Sequence, residues 1–562
     1  MWNLSKFPFL LYYTSMTDNM ADPRFLRIFV TGFVVWAGIF TAFIAFVDPY
    51  GLWNTPKIER INAYKPARAN LDRQIKPLEV LRDQPKTIFL GTSRTQEGLD
   101  AFVLNGTKYA PAYNASIPGG SMLEEEALLN HYLEIDHALK HVVMEVFLYR
   151  LILGDNSAKS RSVWDLADNL MPLFFSVGAL EKSLETLLMN YRGKHDLPSL
   201  DARGHWIPPQ PYNADQNFNP SAYSDAIAEI HSKTTDLQIQ DSALQALIRM
   251  REACKKRGVA FTLLFLPNHP WDDYRLLSLG YWSRVETMYR KLSDFGDVYS
   301  ASQYNYFITE PTFDQLPEGK RMQYWADPIH FSTRLGNEIL KAWAGLDGVR
   351  PKNFLIKITP ENVEQVLKDR MAGLKGWMQE NQKFIDTFER SRRFFCMDEQ
   401  SCKNLRLTYA APPATVLRGR LSGDVLKVDG ENFQLRGGVG GSVDIARSFG
   451  SKVIMFGWAI DDRKGVRPAH PATGIAAVLN DDVIDVIPPE SRRYDVEADF
   501  GKEAYPVGFR AAFSIPSPAK NDWVSQVRLF ALTKDRYAVP ISNNKTAPGV
   551  EFIQVPFPAV LH

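Results

Sequence analysis

The feature that most limits what this chain can fold into is an uncharged apolar stretch from Ile28 to Val47. At about 1.5 Å per residue, a helix of this length crosses a hydrocarbon core of roughly 30 Å. A core helix of a soluble domain would normally carry a polar face, and this stretch has none. It runs directly into Asp48 and Pro49, without the small-residue cleavage site of a signal peptide. We therefore predict an uncleaved transmembrane anchor over residues 28–47, with a buried helix as the alternative.

The charges around this stretch discriminate poorly between the two orientations in a membrane. Arg24 and Arg27 precede it, but Arg60 and Lys65 follow it, so the positive-inside rule is nearly balanced. The short tail before the anchor favours a cytoplasmic segment over residues 1–27. The sequence thus predicts a single-pass protein of the bacterial inner membrane whose main domains are periplasmic.

Composition and missing motifs exclude several functional classes. The formal net charge of +1 argues against a nucleic-acid partner, which requires a net or clustered positive field. We find no phosphate-binding glycine loop and no clustered metal ligands, and therefore predict neither a cofactor nor a metal. Three cysteines cannot form a disulfide scaffold. Cys396 and Cys402 either pair in an oxidising compartment or remain thiols, and Cys254 is left over in both cases.

Beyond a predicted linker over residues 48–84, short apolar strand patterns alternate with helical ones up to about residue 345. Such alternation is typical of βαβ units, so we predict an α/β domain over 85–345 with a parallel sheet flanked by helices. Residues 155–235 interrupt this pattern and are interpreted as an insertion. The strand-like runs are 87–90, 141–149, 259–267 and 297–302, and the helix-like runs are 123–139 and 236–258.

The remainder of the chain falls into two parts. Apolar residues recur at helical spacing over 359–393, which predicts one long packing helix. From 404 to 562, short β-rich runs separated by Gly, Pro, Asp and Asn turns predict an all-β sandwich. Its aromatic residues either stack on sugar rings or fill the core of the sandwich. The three residues considered for stacking are Trp458, Tyr494 and Phe509.

Two distant segments carry the residues of a possible catalytic site. Ser93 follows a glycine at the end of a strand pattern, which places its hydroxyl at the carboxyl edge of a parallel sheet, although such a serine also caps helices. Asp327 and His330 form a D-x-x-H pair directly before the last helix of the domain. The aspartate of such a pair can hold the imidazole in one tautomer while its other nitrogen faces a nucleophile. Serine needs a base of this kind because its hydroxyl is a poor nucleophile at neutral pH.

In three sequence blocks the chain resembles the SGNH/GDSL hydrolase family, over roughly residues 85–345. FLGTSR (89–94) is similar to the nucleophile block, with Thr92 in place of the family's aspartate, and DPIH (327–330) is similar to the last block. YNASIPGG (113–120) is similar to the second block. The resemblance implies catalysis by Ser93, Asp327 and His330, and an oxyanion hole from Ser93 and Gly119, with Gly120 as the alternate donor.

The third block of the family is missing from this sequence. The family has an asparagine directly after the third strand, whereas this chain reads MEVFLYRLILGDN (144–156). Losing one oxyanion donor can lower turnover by roughly a hundred- to a thousandfold. We expect Arg94, Asn114 and His269 to contribute to substrate binding, although His269 could instead close a loop.

An N-terminal anchor followed by a GTSR block resembles envelope proteins that modify polysaccharides. This resemblance implies an O-acetyltransferase or esterase acting on an envelope or extracellular polysaccharide, with a membrane-bound O-acyltransferase as a partner. The C-terminal β domain would be an accessory domain for contact with the glycan or the partner. The alternative is a catalytically silent scaffold or glycan-binding subunit of a polysaccharide assembly complex.

Overall fold

A computed structural model describes most of the chain between residues 23 and 543. The described residues are 23–152, 171–209, 220–234, 237–312, 315–317, 320–410, 417–438, 440–449, 452–461, 469–490, 496, 506–514 and 527–543. The helices within them are α1 (Pro23–Val47), α2 (Asp72–Asp83), α3 (Ser93–Gly98), α4 (Met122–Ile135), α5 (Leu148–Ile152), α6 (Met171–Phe174), α7 (Val177–Arg192), α8 (Pro220–Lys233), α9 (Asp241–Lys256), α10 (Pro270–Ser278), α11 (Trp282–Leu292), α12 (Thr333–Trp343), α13 (Val363–Glu380), α14 (Gln382–Phe395) and α15 (Glu399–Asn404).

A six-stranded sheet lies at the centre of the α/β region. Its strands are β1 (Thr87–Leu90), β2 (Ala112–Asn114), β3 (His141–Val146), β6 (Ala260–Phe265), β7 (Val298–Ser300) and β8 (Ile356–Lys357), while β4 (Ser199–Leu200) and β5 (Trp206–Ile207) form a separate hairpin. The strand order is β2-β1-β3-β6-β7-β8, in which only β8 is antiparallel to its neighbour. The predicted parallel sheet flanked by helices is confirmed.

Helix α1 covers the apolar stretch and is long and apolar enough to cross a membrane. Its C-terminal end is fixed to the α/β region by Lys65, which is 4% exposed. The Lys65 ammonium donates to the carbonyl oxygens of Val47, at 3.2 Å, and Asp48, and lies 3.5 Å from the Asp48 carboxylate. A cation at this position satisfies carbonyl groups that the last helical turn leaves unpaired.

The segment predicted as a linker, residues 48–84, contains ordered structure. It includes helix α2 and a 3-10 helix over Pro66–Asn70. The buried guanidinium of Arg68 donates to the Glu79 carboxylate at 2.9 Å, and Tyr113 in β2 donates to the same carboxylate at 2.6 Å. This segment therefore packs against the sheet.

The single helix predicted over 359–393 is two helices, α13 and α14, separated at Asn381. The backbone of Asn381 leaves the helical region, with φ −122° and ψ 39°. Its side-chain amide donates to the carbonyl oxygen of Trp377 at 2.8 Å. Asparagine competes in this way with backbone hydrogen bonding, which explains the break.

The C-terminal region contains a closed barrel, which corrects the predicted sandwich. The strands are β9 (Gly419–Ser422), β10 (Val425–Val428), β11 (Glu431–Leu435), β12 (Gly441–Phe449), β13 (Lys452–Asp461), β14 (His470–Pro471), β15 (Gly474–Leu479), β16 (Asp482–Ile487), β17 (Gly508–Ser514), β18 (Val527–Leu532), β19 (Tyr537–Pro540) and β20 (Ser542–Asn543). The barrel runs in the order β10-β11-β19-β18-β15-β16-β9 and closes because β9 pairs with both β10 and β16. A second sheet runs β14-β13-β12-β20, with β17 also paired to β13.

The positions of the aromatic residues in this region favour packing in the apolar core over stacking on sugar rings. Phe509 is 2% exposed and belongs to a buried apolar cluster. Trp458 is partly buried and packs against a second small cluster. Tyr494 lies outside the described residues. The two described side chains therefore favour the core-filling alternative.

Two glycines allow the helix that follows His330 to approach the helix that begins at Ser93. A Cβ atom on Gly336, in α12, would collide with the carbonyl oxygen of Gly98 at the end of α3. A Cβ atom on Gly98 would collide with the ring of Phe331. The close contact between α3 and α12 therefore depends on the absence of side chains at both positions.

We expect Gly336→Ala to lower the free energy of unfolding by about 1–3 kcal/mol, because the added methyl group overpacks this contact. Gly376→Ala, in helix α13, is the matched control, since a Cβ atom there meets nothing within 4 Å. The control should raise the free energy of unfolding by up to about 1 kcal/mol. Urea unfolding monitored by tryptophan fluorescence measures both variants. Equal changes in the free energy of unfolding, in the same direction, would contradict the overpacking argument.

Candidate active site

Ser93 lies at the point where strand β1 gives way to helix α3. Thr92 caps this helix, and its hydroxyl accepts a hydrogen bond from the N–H of Arg94 at 3.4 Å. A Cβ atom on Gly91 would lie 2.6 Å from the Glu145 carboxylate, so only glycine fits before the turn. Ser93 is the first residue of α3, and N–H groups in a first helical turn have no partner within the helix. The Ser93 hydroxyl and N–H are thus presented at the carboxyl edge of the sheet.

The structure brings Ser93, His330 and Asp327 together in one series of hydrogen bonds. The Ser93 Oγ lies 2.8 Å from His330 Nε2. His330 Nδ1 lies 2.6 Å from Asp327 Oδ2, while Asp327 Oδ1 accepts the N–H groups of Ile329 and His330, each at 2.8 Å. Asp327 is 7% exposed and His330 fully buried. This geometry lets a histidine accept the serine proton while the carboxylate fixes its tautomer.

Neighbouring charges favour the imidazolium form of His330. Burial alone would lower the pKa of His330, but the carboxylates of Asp327 and Glu97 outweigh it and raise the pKa to about 9. Burial would likewise raise the pKa of Asp327, but His330 and two backbone N–H groups lower it below its usual value. Burial raises the pKa of Glu97. The surroundings of His330 therefore favour its protonated form at neutral pH.

We expect kcat/KM for ester cleavage to rise with pH, with an inflection near pH 9, because only neutral His330 can accept a proton. Glu97→Gln should move this inflection to lower pH by about one unit or less, since it removes a negative charge that favours the imidazolium. The measurement is a pH profile corrected for spontaneous hydrolysis, with Glu126→Gln as the control. A wild-type profile that is flat between pH 7 and pH 9 would contradict this prediction.

The second predicted oxyanion donor lies on the loop after β2. Gly119 is exposed and has a positive φ of 64°, whereas Gly120 is buried. The Gly120 N–H donates to the carbonyl oxygen of Ile117 at 3.0 Å. Because that N–H already has an acceptor, Gly119 is the better candidate of the two.

A buried carboxylate that sequence reasoning missed holds the serine turn in place. Glu145, in β3, is 2% exposed, and its Oε2 accepts the N–H of Thr92 at 2.8 Å and the hydroxyls of Thr92 and Thr95 at 3.0 and 2.9 Å. Its Oε1 lies 3.3 Å from the Arg94 guanidinium. The signal in the sequence was a single glutamate inside an apolar strand, because a buried charge requires partners.

The three residues predicted to bind substrate, Arg94, Asn114 and His269, are all buried. Each is at most 1% exposed, which does not favour a direct substrate contact. Arg94 Nε donates to the Ile329 carbonyl oxygen at 2.8 Å, and the backbone N–H of His269 donates to that of Pro328 at 2.9 Å. Both contacts hold the loop that carries Asp327 and His330.

The other two side chains have structural partners. The Asn114 amide donates to the carbonyl oxygens of Thr95 and Leu99, each at 2.8 Å, and so joins β2 to α3. The His269 ring caps helix α10, and burial lowers its pKa to about 3. His269 therefore closes its loop, which was the second possibility for this residue.

Phe147 occupies the position after the third strand where an asparagine was sought. Its ring lies under the Arg94 guanidinium, with 4.4 Å between the guanidinium carbon and the ring centroid. This contact supports the serine turn through Arg94 but offers no donor to an oxyanion. Within the described residues, no group of three His, Cys, Asp or Glu side chains could hold a metal ion.

Comparison with known proteins adds little to this geometry. No family model matches the chain, and no curated protein matches it. Among solved structures, the chain is similar to the capsular polysaccharide assembling protein CapF from Staphylococcus aureus, with 11% sequence identity, coverage of 77% of this chain and 90% of that chain, and a TM-score of 0.14. A TM-score this low supports no argument about fold or function. The functional interpretation of this chain therefore depends on its own residues.

Proposed function

We propose that this protein is a serine-dependent acyl-transfer enzyme of the SGNH type. The observation that carries the proposal is the series of hydrogen bonds from Ser93 through His330 to Asp327, at 2.8 and 2.6 Å. The position of Ser93 at a helix N-terminus on the carboxyl edge of a parallel sheet supports the same conclusion.

The reaction proceeds in two halves. His330 Nε2 accepts the Ser93 proton as Oγ attacks the acyl carbonyl carbon, and the N–H groups of Ser93 and Gly119 stabilise the resulting oxyanion. The leaving group takes the proton from His330 as the old ester bond breaks, which leaves an acyl-serine. An acceptor hydroxyl then loses its proton to His330 and attacks the acyl-serine. The bond between the acyl carbon and Ser93 Oγ breaks as His330 returns the proton to Oγ, which restores free Ser93. A sugar acceptor makes the enzyme an O-acetyltransferase, and water makes it an esterase.

The proposed setting is the outer side of the bacterial inner membrane. Helix α1 serves as the anchor, with the residues before it in the cytoplasm. Cys396 and Cys402 form a disulfide, and such bonds persist in oxidising compartments such as the periplasm. The proposed acceptor is a polysaccharide hydroxyl, and the acyl group arrives from a membrane-bound O-acyltransferase.

Covalent labelling by a fluorophosphonate probe tests whether Ser93 is an activated nucleophile. The full-length protein in detergent should be labelled on Ser93, and both His330→Ala and Ser93→Ala should abolish labelling. Ser278→Ala, at the end of helix α10, is the control and should be labelled like the wild type. Wild-type protein that stays unlabelled would move the interpretation to a silent scaffold. A separate, unlabelled sample is then acetylated with p-nitrophenyl acetate and incubated with candidate oligosaccharides to separate transfer from hydrolysis.

A further inference from the structure

Helix α7 exposes four large apolar residues and buries small and polar ones, which reverses the usual arrangement for a helix on a soluble domain. The buried positions are Ala179, Ser183, Thr186 and Asn190. The large exposed apolar side chains are Val177, Leu184, Leu188 and Tyr191, with exposed fractions of 79%, 53%, 47% and 79%. These four residues recur at spacings of seven, four and three, and therefore form one stripe along the helix, on which the exposed Glu181 also lies between Val177 and Leu184.

The buried face of α7 is fixed to the end of α1 and to the segment that follows it. Ala179 belongs to an apolar cluster with Ile44 and Tyr50. The Asn190 side chain accepts from the N–H of Tyr64 at 2.9 Å and donates to the carbonyl oxygen of Tyr64 at 2.7 Å. The orientation of α7 is thus determined, and its apolar stripe faces away from the protein.

The start of α7 lies beside residues of α1 that a membrane-spanning helix must place in hydrocarbon. The Phe175 ring contacts that of Phe40 at a centroid distance of 5.1 Å. Arg27 is the last charged residue before Asp48, so a hydrocarbon core of roughly 30 Å needs all the residues from 28 to 47. Phe40 is then about 10 Å inside the end of the helix at Val47. Phe175 must lie at the same depth.

A shallow groove continues this apolar surface along α1. Its volume is about 660 Å³, and Phe175 and Trp53 close one side of it. The Trp53 ring also contacts Phe174, at a centroid distance of 5.4 Å. The α1 residues that line the groove are Phe33, Ala37, Gly38, Thr41, Ala42 and Ala45.

We propose that residues 171–177 are embedded in the lipid bilayer beside the anchor, as a second membrane contact, and that the outward stripe of α7 continues through the headgroup region, where the Glu181 carboxylate can stay hydrated. The proposal rests on the proposed membrane anchor. Lipid is favoured over a protein partner because the stripe is continuous with the surface of α1. Tyr191 and the exposed Arg192 and Lys194 follow at the outer end, where aromatic and basic side chains meet lipid headgroups.

Three valines provide a matched test in the full-length protein, reconstituted alone into phospholipid vesicles. Each is replaced in turn by cysteine and labelled with an environment-sensitive fluorophore: Val177 in the stripe, Val35 in the anchor, and Val349, which is 91% exposed on the α/β region. Cys254 is buried, and wild-type protein treated with the same fluorophore gives the background signal from this cysteine. We expect doxyl-labelled lipid to reduce fluorescence at positions 35 and 177 by about twofold or more, and aqueous iodide to quench only at position 349.

The outcomes separate the two proposals. Lipid quenching at position 35 combined with iodide quenching at position 177 would overturn the second membrane contact and leave the anchor intact. Protection of position 177 from both quenchers would show that protein covers the stripe, and would also overturn it. Iodide quenching at position 35 would overturn the anchor and, with it, the second contact.

Discussion

Ser93→Ala is expected to lower kcat/KM for hydrolysis of p-nitrophenyl acetate by at least about a thousandfold, because the proposed acyl intermediate forms on the Ser93 hydroxyl. The Ser93 hydroxyl is the atom that His330 can deprotonate, at 2.8 Å. The free energy of unfolding should change little, because Ser93 is only partly buried. The measurement is steady-state release of p-nitrophenol by the full-length protein, with Ser278→Ala as the control.

The double variant Ser93→Ala/His330→Ala distinguishes a catalytic unit from two independent contributions. Residues that act together in one step lose nearly all activity with the first change. The double variant should therefore be no more than about tenfold slower than Ser93→Ala alone. A loss of activity in the double variant equal to the product of the losses in the two single variants would contradict the proposed proton transfer between Ser93 and His330.

Glu145→Ala is expected to lower the free energy of unfolding by about 3–5 kcal/mol, the largest effect on stability that we predict. The change removes the acceptor of three hydrogen bonds and leaves the Arg94 guanidinium, which is 1% exposed, without its carboxylate partner. Acyl transfer should fall as well, because the Thr92 N–H that sets the serine turn loses its acceptor. Urea unfolding and ester hydrolysis measure the two effects.

Glu126→Ala is the matched carboxylate control. Glu126 pairs with Arg249 at 2.5 Å on the surface, and exposed pairs contribute only about 0–1 kcal/mol. Arg94→Met combined with Glu145→Met should be less destabilising than the sum of the two single changes, because neither charge is then left unpaired in the interior. A loss for Glu145→Ala as small as that of the control would contradict a structural role for this ion pair.

The catalytic candidates were accessible from sequence because each belongs to a short local pattern. Gly91-Thr92-Ser93 ends an apolar strand, and Asp327 and His330 are only three residues apart, so both segments could be recognised without knowledge of long-range contacts. The parallel sheet followed from the alternation of strand and helix patterns. The hydrogen bond between Ser93 and His330 joins residues 237 positions apart and required the fold.

Features that depend on which distant segment a strand or helix contacts could not be predicted from the sequence. Short β runs read the same in a sandwich and in a barrel, and closure depends on β9 pairing with β16, which no local pattern encodes. From sequence, the apolar stripe on α7 would be predicted to face the protein interior. In the structure the opposite face, which carries Asn190, is buried instead. Arg94 was expected to contribute to substrate binding, but Glu145 and two backbone carbonyl groups hold it in the interior, where arginine is seldom found.

The contacts of Lys65 with Val47 and Asp48 bear on how far the proposed enzyme can reach. They join α1 to the folded region without a flexible linker, so in the proposed membrane setting Ser93 would stay at a fixed height above the lipid. An acceptor must therefore be delivered to that height. If the acceptor is an exported polysaccharide, as proposed, we expect acylation close to the exit and during export, before the finished chain has diffused away.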